Sequence, residues 1–245
     1  MEQERLAGNT NTSLLKIIAL VFMCFDHFGK MLFPQVLEMR MIGRLAFPIY
    51  CWCLVVGACY TKNIWKYALR LLLVGLVSQP LYMVALDHTW NEPNIFLTLF
   101  IAVMGLGAIR ARKWLSHIWG PVAALTAAQL AGCDYGWRGV MLVFLLYMAR
   151  KDKMGLAAVM IAFCLYWGSL SSAVHKVLGA TITLYKVPGF GAILSSFTKL
   201  QGLAVLALPF IVCPMNWRVK MNKWVGYALY PAHLAFLWIF TAVQG

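Results

Sequence analysis

Long apolar stretches follow one another along almost the whole 245-residue chain, and only short loops separate them. A membrane-spanning helix needs roughly 20 apolar residues to cross a hydrocarbon core about 30 Å thick. Nine stretches come close to this length, and they cover residues 14–34, 43–60, 67–86, 94–109, 114–131, 137–149, 154–170, 200–213 and 224–243. The pattern therefore predicts an all-α, polytopic transmembrane helix bundle of about nine spans, within a range of roughly eight to ten.

The composition agrees with a membrane protein, because 62% of the residues are hydrophobic and only 12% are charged. Nine spans consume nearly the whole chain, which excludes a separate folded ectodomain or a fused ATPase. The polar N-terminus lacks the basic region and small-residue cleavage site of a removed signal peptide, so we expect the first helix to be retained. The expected organisation is a cytoplasmic tail over residues 1–13 and one transmembrane domain over residues 14–245.

The formal net charge of +13 is concentrated in clusters between the apolar stretches. Basic clusters follow the second, fourth, sixth and eighth stretches, whereas Asp87, Glu92 and Asp134 lie in the intervening loops. The positive-inside rule then places the N-terminus in the cytoplasm and the C-terminus outside, in a multi-pass protein of the inner or plasma membrane. Short, separated basic loops without aromatic stacking platforms do not favour nucleic-acid binding.

Residues 171–199 interrupt the apolar pattern with serines, a lysine, a proline and glycines. This segment is too short and too polar to span the membrane comfortably. An interfacial helix followed by a re-entrant loop is the expected structure, because irregular backbone at membrane depth is tolerated only where it lines protein or a cavity.

Several polar side chains lie between the midplane and the outer face of the predicted bundle. Ionisable residues within hydrocarbon are costly and mark functional sites by default. The residues belong to different spans, yet the predicted topology places them all on one side, which indicates a polar cavity that opens outward. These residues are Asp26, His27, Arg44, Gln79, Asn94, Asp134 and His233.

Structural explanations compete with a functional one at several of these positions. Asp26 and Lys30 are one helical turn apart and would neutralise each other on one face of a helix. Arg44 would serve as an anchor that snorkels to the membrane surface. Asn94 would cap a helix, and Asp134 would belong to an ordinary turn.

The same residues have the chemistry of acyl transfer. Histidine is a general base near neutral pH, and attack on a thioester needs such a base and hydrogen-bond donors for the developing oxyanion. His27 would be the base, with Asp26 or the distant Asp134 as its partner, and His233 is the alternative base. Arg44 and Asn94 would stabilise the oxyanion.

Short motifs in this order resemble the TraX family from about residue 14 to residue 240. They are Asp26-His27, Gly43-Arg44-Leu45-Ala46-Phe47-Pro48, Ser78-Gln79-Pro80, Asn94, Asp134-Tyr135-Gly136 and Tyr230-Pro231-Ala232-His233-Leu234. The resemblance implies an integral inner-membrane acetyltransferase with acetyl-CoA as the donor. It also implies an acceptor at the membrane or outer face, which is the N-terminal amine of a pilin-like subunit or a hydroxyl of a surface glycan.

We assign roles to these positions from their chemistry. The expected catalytic residues are His27, Asp26, His233 and Arg44, and the expected acceptor-binding residues are Asn94, Asp134, Gln79 and Tyr230. Arg218, Lys220 and Lys223 in a cytoplasmic loop would meet the phosphates of acetyl-CoA. No metal is expected, because no zinc-ligand spacing is present.

Two other functions use the same polar groups differently. A proton-coupled transporter of small molecules would use Asp26, His27 and Asp134 as a proton relay. A noncatalytic assembly partner for a small membrane protein such as pilin would not need His27 for its function.

Overall fold

Helices make up most of the structure, a computed structural model that describes residues 5–172, 174, 176–177, 180–181, 189, 191–217 and 219–244. The described α-helices are α1 (Thr12–Met31), α2 (Leu37–Gly43), α3 (Ala46–Tyr60), α4 (Ile64–Leu86), α5 (Ile95–Ala111), α6 (Ser116–Leu130), α7 (Gly136–Ala149), α8 (Lys153–Ser169), α9 (Gly191–Phe197), α10 (Leu208–Val212) and α11 (Lys223–Gln244). A 3₁₀ helix, Gly202–Ala207, precedes α10.

Helical structure occupies each of the nine apolar stretches, and four described segments are long and apolar enough to cross a membrane. By length and composition these four are Thr12–Met31, Leu37–Tyr60, Ile64–Leu86 and Trp224–Val243. Shorter apolar helical segments are Ile95–Ala111, Gly136–Ala149, Lys153–Ser169 and Gly202–Val212. The chain is therefore an α-helical membrane protein, whereas the nine spans and the cytoplasmic N-terminus stay predictions.

The outward faces of the long helices are apolar. On α4, Leu69, Leu73 and Val77 recur at helical spacing and are 52%, 52% and 69% exposed. On α11, Phe236 and Ile239 are 58% and 57% exposed. Large exposed apolar surfaces are rare on soluble proteins, so these faces are suited to contact with lipid.

The segment 171–199 contains a strand pair where an interfacial helix and a re-entrant loop were expected. Two strands, β1 (Lys176–Val177) and β2 (Ala180–Thr181), pair in antiparallel fashion, with Lys176 opposite Thr181. Two residues per strand are too few to produce a readable alternation of apolar and polar residues, so sequence could not indicate this pair. The short helix α9 follows, and the part of the predicted re-entrant loop at residues 182–188 lies outside the described residues.

The chain divides into two compact units, which we describe separately. Unit 1 comprises Met1–Leu6, Cys51–Met148 and Lys220–Gly245, and unit 2 comprises Ala7–Tyr50 and Ala149–Val219. In unit 1, α5 packs against α4 and α6, and α4 also packs against α11. In unit 2, α1 packs against α2, and α8 packs against α9, α10 and the 3₁₀ helix.

Polar side chains fix the starts of several helices. Asn11, Asn63, Asn94 and Asp152 each accept a hydrogen bond from a backbone N–H in the first turn of α1, α4, α5 and α8. The first N–H groups of a helix have no partner within the helix, and Asn and Asp are among the side chains that satisfy them best. The beginnings of these helices are thus encoded locally.

Within unit 2, Asn9 ties the segment before α1 to the end of α10. Its backbone N–H donates to the carbonyl of Ile211 at 2.7 Å, and its Nδ2 donates to the carbonyl of Phe210 at 3.2 Å. Carbonyls in the last turn of a helix lack partners within it, so the buried Asn9 supplies partners to two of them.

The Asn9 Oδ1 also accepts a hydrogen bond from the Asn11 N–H at 2.9 Å. We expect the Asn9→Ala variant to unfold more easily, by about 1–3 kcal/mol, because the Phe210 carbonyl and the Asn11 N–H lose a buried partner. Thermal unfolding in detergent micelles measures the change. The control is Asn216→Ala, since Asn216 is exposed in the same unit. Equal shifts in the two variants would contradict a structural role for the Asn9 side chain.

Candidate functional site

A charged cluster forms where α2 folds back against α1 in unit 2. The Asp26 carboxylate on α1 accepts a hydrogen bond from Arg40 Nε at 3.0 Å and a second, shorter one from Arg44 Nη2. The side chain of Arg44 is 9% exposed and that of Asp26 is 16% exposed, whereas that of Arg40 is 31% exposed. Two guanidinium groups therefore share one carboxylate.

The close approach of the two helices depends on Gly43. A Cβ atom at this position would lie 2.8 Å from the Cα of Asp26, a distance that real Cβ atoms essentially never show. Arg44 follows directly as the C-cap residue of α2, and its guanidinium reaches the carboxylate across this contact. In the Gly43-Arg44 motif, the glycine thus allows the close approach of the two helices, and the arginine forms the ion pair with Asp26.

The cluster gives Asp26 partners that the sequence analysis did not consider together. Asp26 pairs with Arg40 and Arg44. Sequence reasoning missed Arg40 altogether. The signal that could have found it is the spacing of Arg40 and Arg44, because two like charges one turn apart need an anionic partner.

His27 lies beside this cluster. It follows Asp26 on α1, is half-buried, and interacts electrostatically with the Asp26 carboxylate. Because Asp26 is held by two arginines, its carboxylate is fixed within reach of the charge that would develop on His27. The catalytic roles assigned to Asp26, His27 and Arg44 stay predictions, but the three residues are brought together as expected.

A second polar cluster lies in unit 1 between α4 and the start of α5. Asn94 Nδ2 donates to the carbonyl of Gly75 and to Gln79 Oε1, both at 2.8 Å. The Asn94 backbone N–H also donates to Gln79 Oε1, at 2.9 Å, and Asn94 Oδ1 accepts from Phe96 N at 3.0 Å. Both residues are buried. Asn94 thus caps α5 through its Oδ1, as the helix-cap interpretation predicted, and both of its Nδ2 hydrogens are engaged within the protein as well.

The loop between α4 and α5 is linked to this pair. Gln79 Nε2 donates to the carbonyl of Glu92 at 3.1 Å, and the Glu92 carboxylate accepts from the Thr89 backbone at 2.9 Å and the Thr89 hydroxyl at 3.1 Å. The hydrogen bond from the Thr89 backbone, followed by those from the Thr89 hydroxyl and His88, lowers the pKa of Glu92 from its usual value. The hydrogen bonds to the Glu92 carboxylate therefore stabilise the loop at pH values above the ordinary carboxyl pKa. This stabilisation is lost as the pH falls through the lowered pKa of Glu92.

We expect Asn94→Ala to destabilise the protein by about 2–3 kcal/mol, because it removes a helix cap and two buried side-chain donors. Asn63→Ala is the matched control, since exposed Asn63 caps α4 through one bond to Lys66 N at 2.9 Å. That variant should cost only about 1 kcal/mol. Unfolding in detergent gives both values, and equal losses would mean that the bonds to Gly75 and Gln79 contribute nothing.

Tyr230 and His233 on α11 lie near the same end of α5. The ring centroids of Phe96 and Tyr230 are 4.8 Å apart, and those of Tyr230 and His233 are 5.2 Å apart. His233 Nδ1 lies 3.3 Å from the carbonyl of Leu229 in its own helix. Aromatic contacts thus connect Asn94, through its neighbour Phe96, with the predicted acceptor-binding Tyr230 and the predicted alternative base His233.

A cavity of about 180 Å³ lies beside the Gln79 and Asn94 side chains. Its wall is mostly apolar and comes from α4, the following loop and α5. Besides the two amides, the lining residues are Leu72, Gly75, Leu76, Trp90, Pro93 and Leu97.

The other predicted residues are in the turn before α7 and at the start of α11. Asp134 is exposed in that turn. Lys220 is exposed, Lys223 begins α11, and Arg218 lies outside the described residues. In the described part of the chain, no group of three or more His, Cys, Asp or Glu side chains could hold a metal ion.

The structure therefore brings the candidates together in two groups. Asp26, His27 and Arg44 belong to unit 2, whereas Gln79, Asn94, Tyr230 and His233 belong to unit 1. The single outward cavity expected to join them stays a prediction.

Known proteins resemble the chain over most of its length. A protein of Dichelobacter nodosus named "probable fimbrial assembly protein FimC, serogroup H1" is 27% identical, and the alignment covers 91% of this chain and 92% of that protein. An uncharacterized protein of Rickettsia prowazekii is 23% identical over 95% of this chain and 94% of its own length. The Escherichia coli protein named "Protein TraX" is 27% identical over 71% of this chain and 72% of its own length.

No solved structure matches the chain. The protein family described as "TraX protein" matches residues 11–241, which include both polar clusters, three of the long apolar segments and most of the fourth. The chain therefore belongs to the TraX family.

Proposed function

We propose that the protein is an inner-membrane acetyltransferase that moves an acetyl group from cytoplasmic acetyl-CoA to an acceptor at the membrane or its outer face. The observation that carries this proposal is the cluster of one carboxylate and two guanidinium groups beside His27. It combines a residue suited to general-base catalysis with two guanidinium groups that can stabilise an oxyanion.

The chemistry follows from these side chains. The His27 imidazole accepts a proton from the attacking amine or hydroxyl of the acceptor while the new bond to the thioester carbonyl carbon forms. Guanidinium groups of Arg44 and Arg40 stabilise the negative charge that develops on the carbonyl oxygen. The carbon–sulfur bond then breaks, and the CoA thiolate takes the proton from the imidazolium. The products are the acetylated acceptor and CoA thiol.

Asp26 has a positioning role in this scheme. Its carboxylate holds both arginines in place, and its charge stabilises the imidazolium form of the neighbouring His27. Removal of Asp26 should therefore affect the pH dependence of the reaction as well as the geometry of the arginines.

The relatives favour an acceptor associated with pili. The relative from Dichelobacter nodosus is named for fimbrial assembly, and the TraX resemblance implies acetylation of a pilin N-terminal amine. An α-amine has a pKa near 8 and needs only modest help to lose its proton, whereas a sugar hydroxyl needs a stronger base. A pilin-like amine is therefore our preferred acceptor, and a surface glycan hydroxyl is the alternative.

The test is an assay of purified protein in detergent with acetyl-CoA labelled in the acetyl group. Label is followed into protein and small-molecule fractions of a membrane extract that supplies acceptors, and CoA release is measured in parallel. Transfer of label to a small membrane protein supports the proposal. If folded protein neither binds nor consumes acetyl-CoA, the proposal is wrong, and substrate flux in proteoliposomes then tests the transporter alternative.

A further inference from the structure

Arg70 is a cation inside α4 that no carboxylate neutralises in the described part of unit 1. It lies six residues after the start of the helix, about 9 Å along its axis. Its Nε atom is buried and has no hydrogen-bond partner, and no ion pair involves Arg70. A charged residue within a membrane-spanning helix is costly and is expected to have a binding or transport role.

Two tyrosines flank this guanidinium. The Arg70 Cζ atom lies 5.8 Å from the ring centroid of Tyr67, one turn back on α4. Tyr227 on α11 is close enough to interact electrostatically with both Arg70 and Tyr67. Since α4 packs against α11, the Arg70 guanidinium beside the Tyr67 ring also interacts electrostatically with Tyr227 on the neighbouring helix.

The position of Tyr67 is fixed by a close contact with α3. A Cβ atom at Gly57 would lie 2.8 Å from the Tyr67 hydroxyl oxygen, so the phenol packs closely against this glycine. Tyr67 is also buried. The Tyr67 ring beside Arg70 is thus packed between α4 and α3.

The two charged side chains of α4 are both positive. Lys66 lies one turn before Arg70 on the same helical face. The described acids nearest to α4 in sequence, Asp87 and Glu92, follow its other end, and Asp87 is about 25 Å from Arg70 along the axis. Like charges one turn apart repel, so an anion placed between α4 and α11 would be stabilised.

We propose that Arg70, together with Tyr227, binds a phosphate group at the junction of α4 and α11. A guanidinium with free N–H groups matches phosphate oxygens geometrically, and a phenolic hydroxyl adds a further donor. Two sources supply this chemistry, namely the diphosphate of coenzyme A and the headgroup of an anionic phospholipid. Assignment to coenzyme A rests on the proposed function, whereas the phosphate site itself does not.

The first experiment measures coenzyme A affinity by titration calorimetry in phosphatidylcholine nanodiscs. Variants are Arg70→Gln and Tyr227→Phe, and Lys62→Gln is the control that removes one exposed charge near the same helix end. We expect at least a tenfold loss of affinity in Arg70→Gln, a smaller loss in Tyr227→Phe and none in Lys62→Gln. Tyr227→Phe removes a single hydroxyl and covers the case in which Arg70→Gln fails to fold.

The second experiment measures retention of phosphatidylglycerol by the same variants with native mass spectrometry. If coenzyme A affinity is unchanged and only the site variants lose this lipid, the phosphate belongs to a lipid headgroup and the site is supported. The proposal is overturned if wild-type protein binds neither probe, if folded site variants bind both probes normally, or if Lys62→Gln is equally impaired. If the Arg70→Gln variant loses coenzyme A binding but the wild-type protein transfers no acetyl group, only the proposed enzyme function is overturned.

Discussion

Acetyl transfer by the His27→Ala variant is expected to fall about 10²- to 10⁴-fold, which is the usual contribution of a general base. The reason is that alanine cannot accept the proton of the attacking amine, whereas the arginines that stabilise the oxyanion stay in place. Label transfer from acetyl-CoA to acceptor, measured under saturating acetyl-CoA, gives the rate. Binding of acetyl-CoA should change little, since the imidazole acts on the acceptor.

Two histidine variants make this result specific. His117→Ala changes an exposed residue at the start of α6 and should leave the rate unaltered. His233→Ala tests the alternative base on α11. If His233→Ala loses transfer while His27→Ala retains it, the base is His233 and the role of the unit 2 cluster must be revised. Full activity in both variants would favour the noncatalytic assembly function.

The Asp26→Ala variant is expected to be about 3 kcal/mol less stable than the wild-type protein. Removal of the Asp26 carboxylate leaves two guanidinium groups without their shared counter-ion. Removing one partner of a buried ion pair typically costs about 3–5 kcal/mol. The partial exposure of Arg40 places the effect at the lower end of this range. Thermal unfolding in detergent, followed at several salt concentrations, measures the loss.

The two arginines should differ in a way that the geometry specifies. Arg44→Gln is expected to cost more stability than Arg40→Gln, because the Arg44 side chain is 9% exposed and that of Arg40 is 31% exposed. A double-mutant cycle between Asp26→Ala and Arg44→Gln should give a coupling of about 1–3 kcal/mol. Additive effects would show that the ion pair contributes nothing, and Asp26→Ala would then report only the altered helix packing.

Much of the helical architecture was predictable because its signals are local. Apolar stretches located the helices, and the cap residues Asn11, Asn63 and Asn94 precede three of them directly. Helix α2 was missed because Glu38 and Arg40 interrupt the apolar pattern there, although its sequence continues into α3 as one long span. Charges that are neutralised by tertiary contacts look the same in sequence as charges in a loop.

The site was predictable as a set of residue types and not as a set of contacts. Asp26, His27 and Arg44 were identified by their predicted depth in the membrane. The pairing of Asp26 with Arg40 depends on the turn between α1 and α2, and such a turn produces no periodic pattern in the sequence. Gln79 and Asn94 were likewise selected one by one. Their mutual hydrogen bonds arise from the packing of α4 against α5.

The residues of the Asp26 cluster are close together in the sequence, and this matters for membrane insertion. An aspartate or arginine at the centre of a helix adds about 2.5–3.5 kcal/mol to the free energy of insertion. The partners of Asp26 are 14 and 18 residues away, so the carboxylate and both guanidiniums are synthesised almost together. The pair of α1 and α2 can neutralise its acid before α4 and the later helices exist, and the first hairpin can therefore enter the bilayer as a self-contained unit.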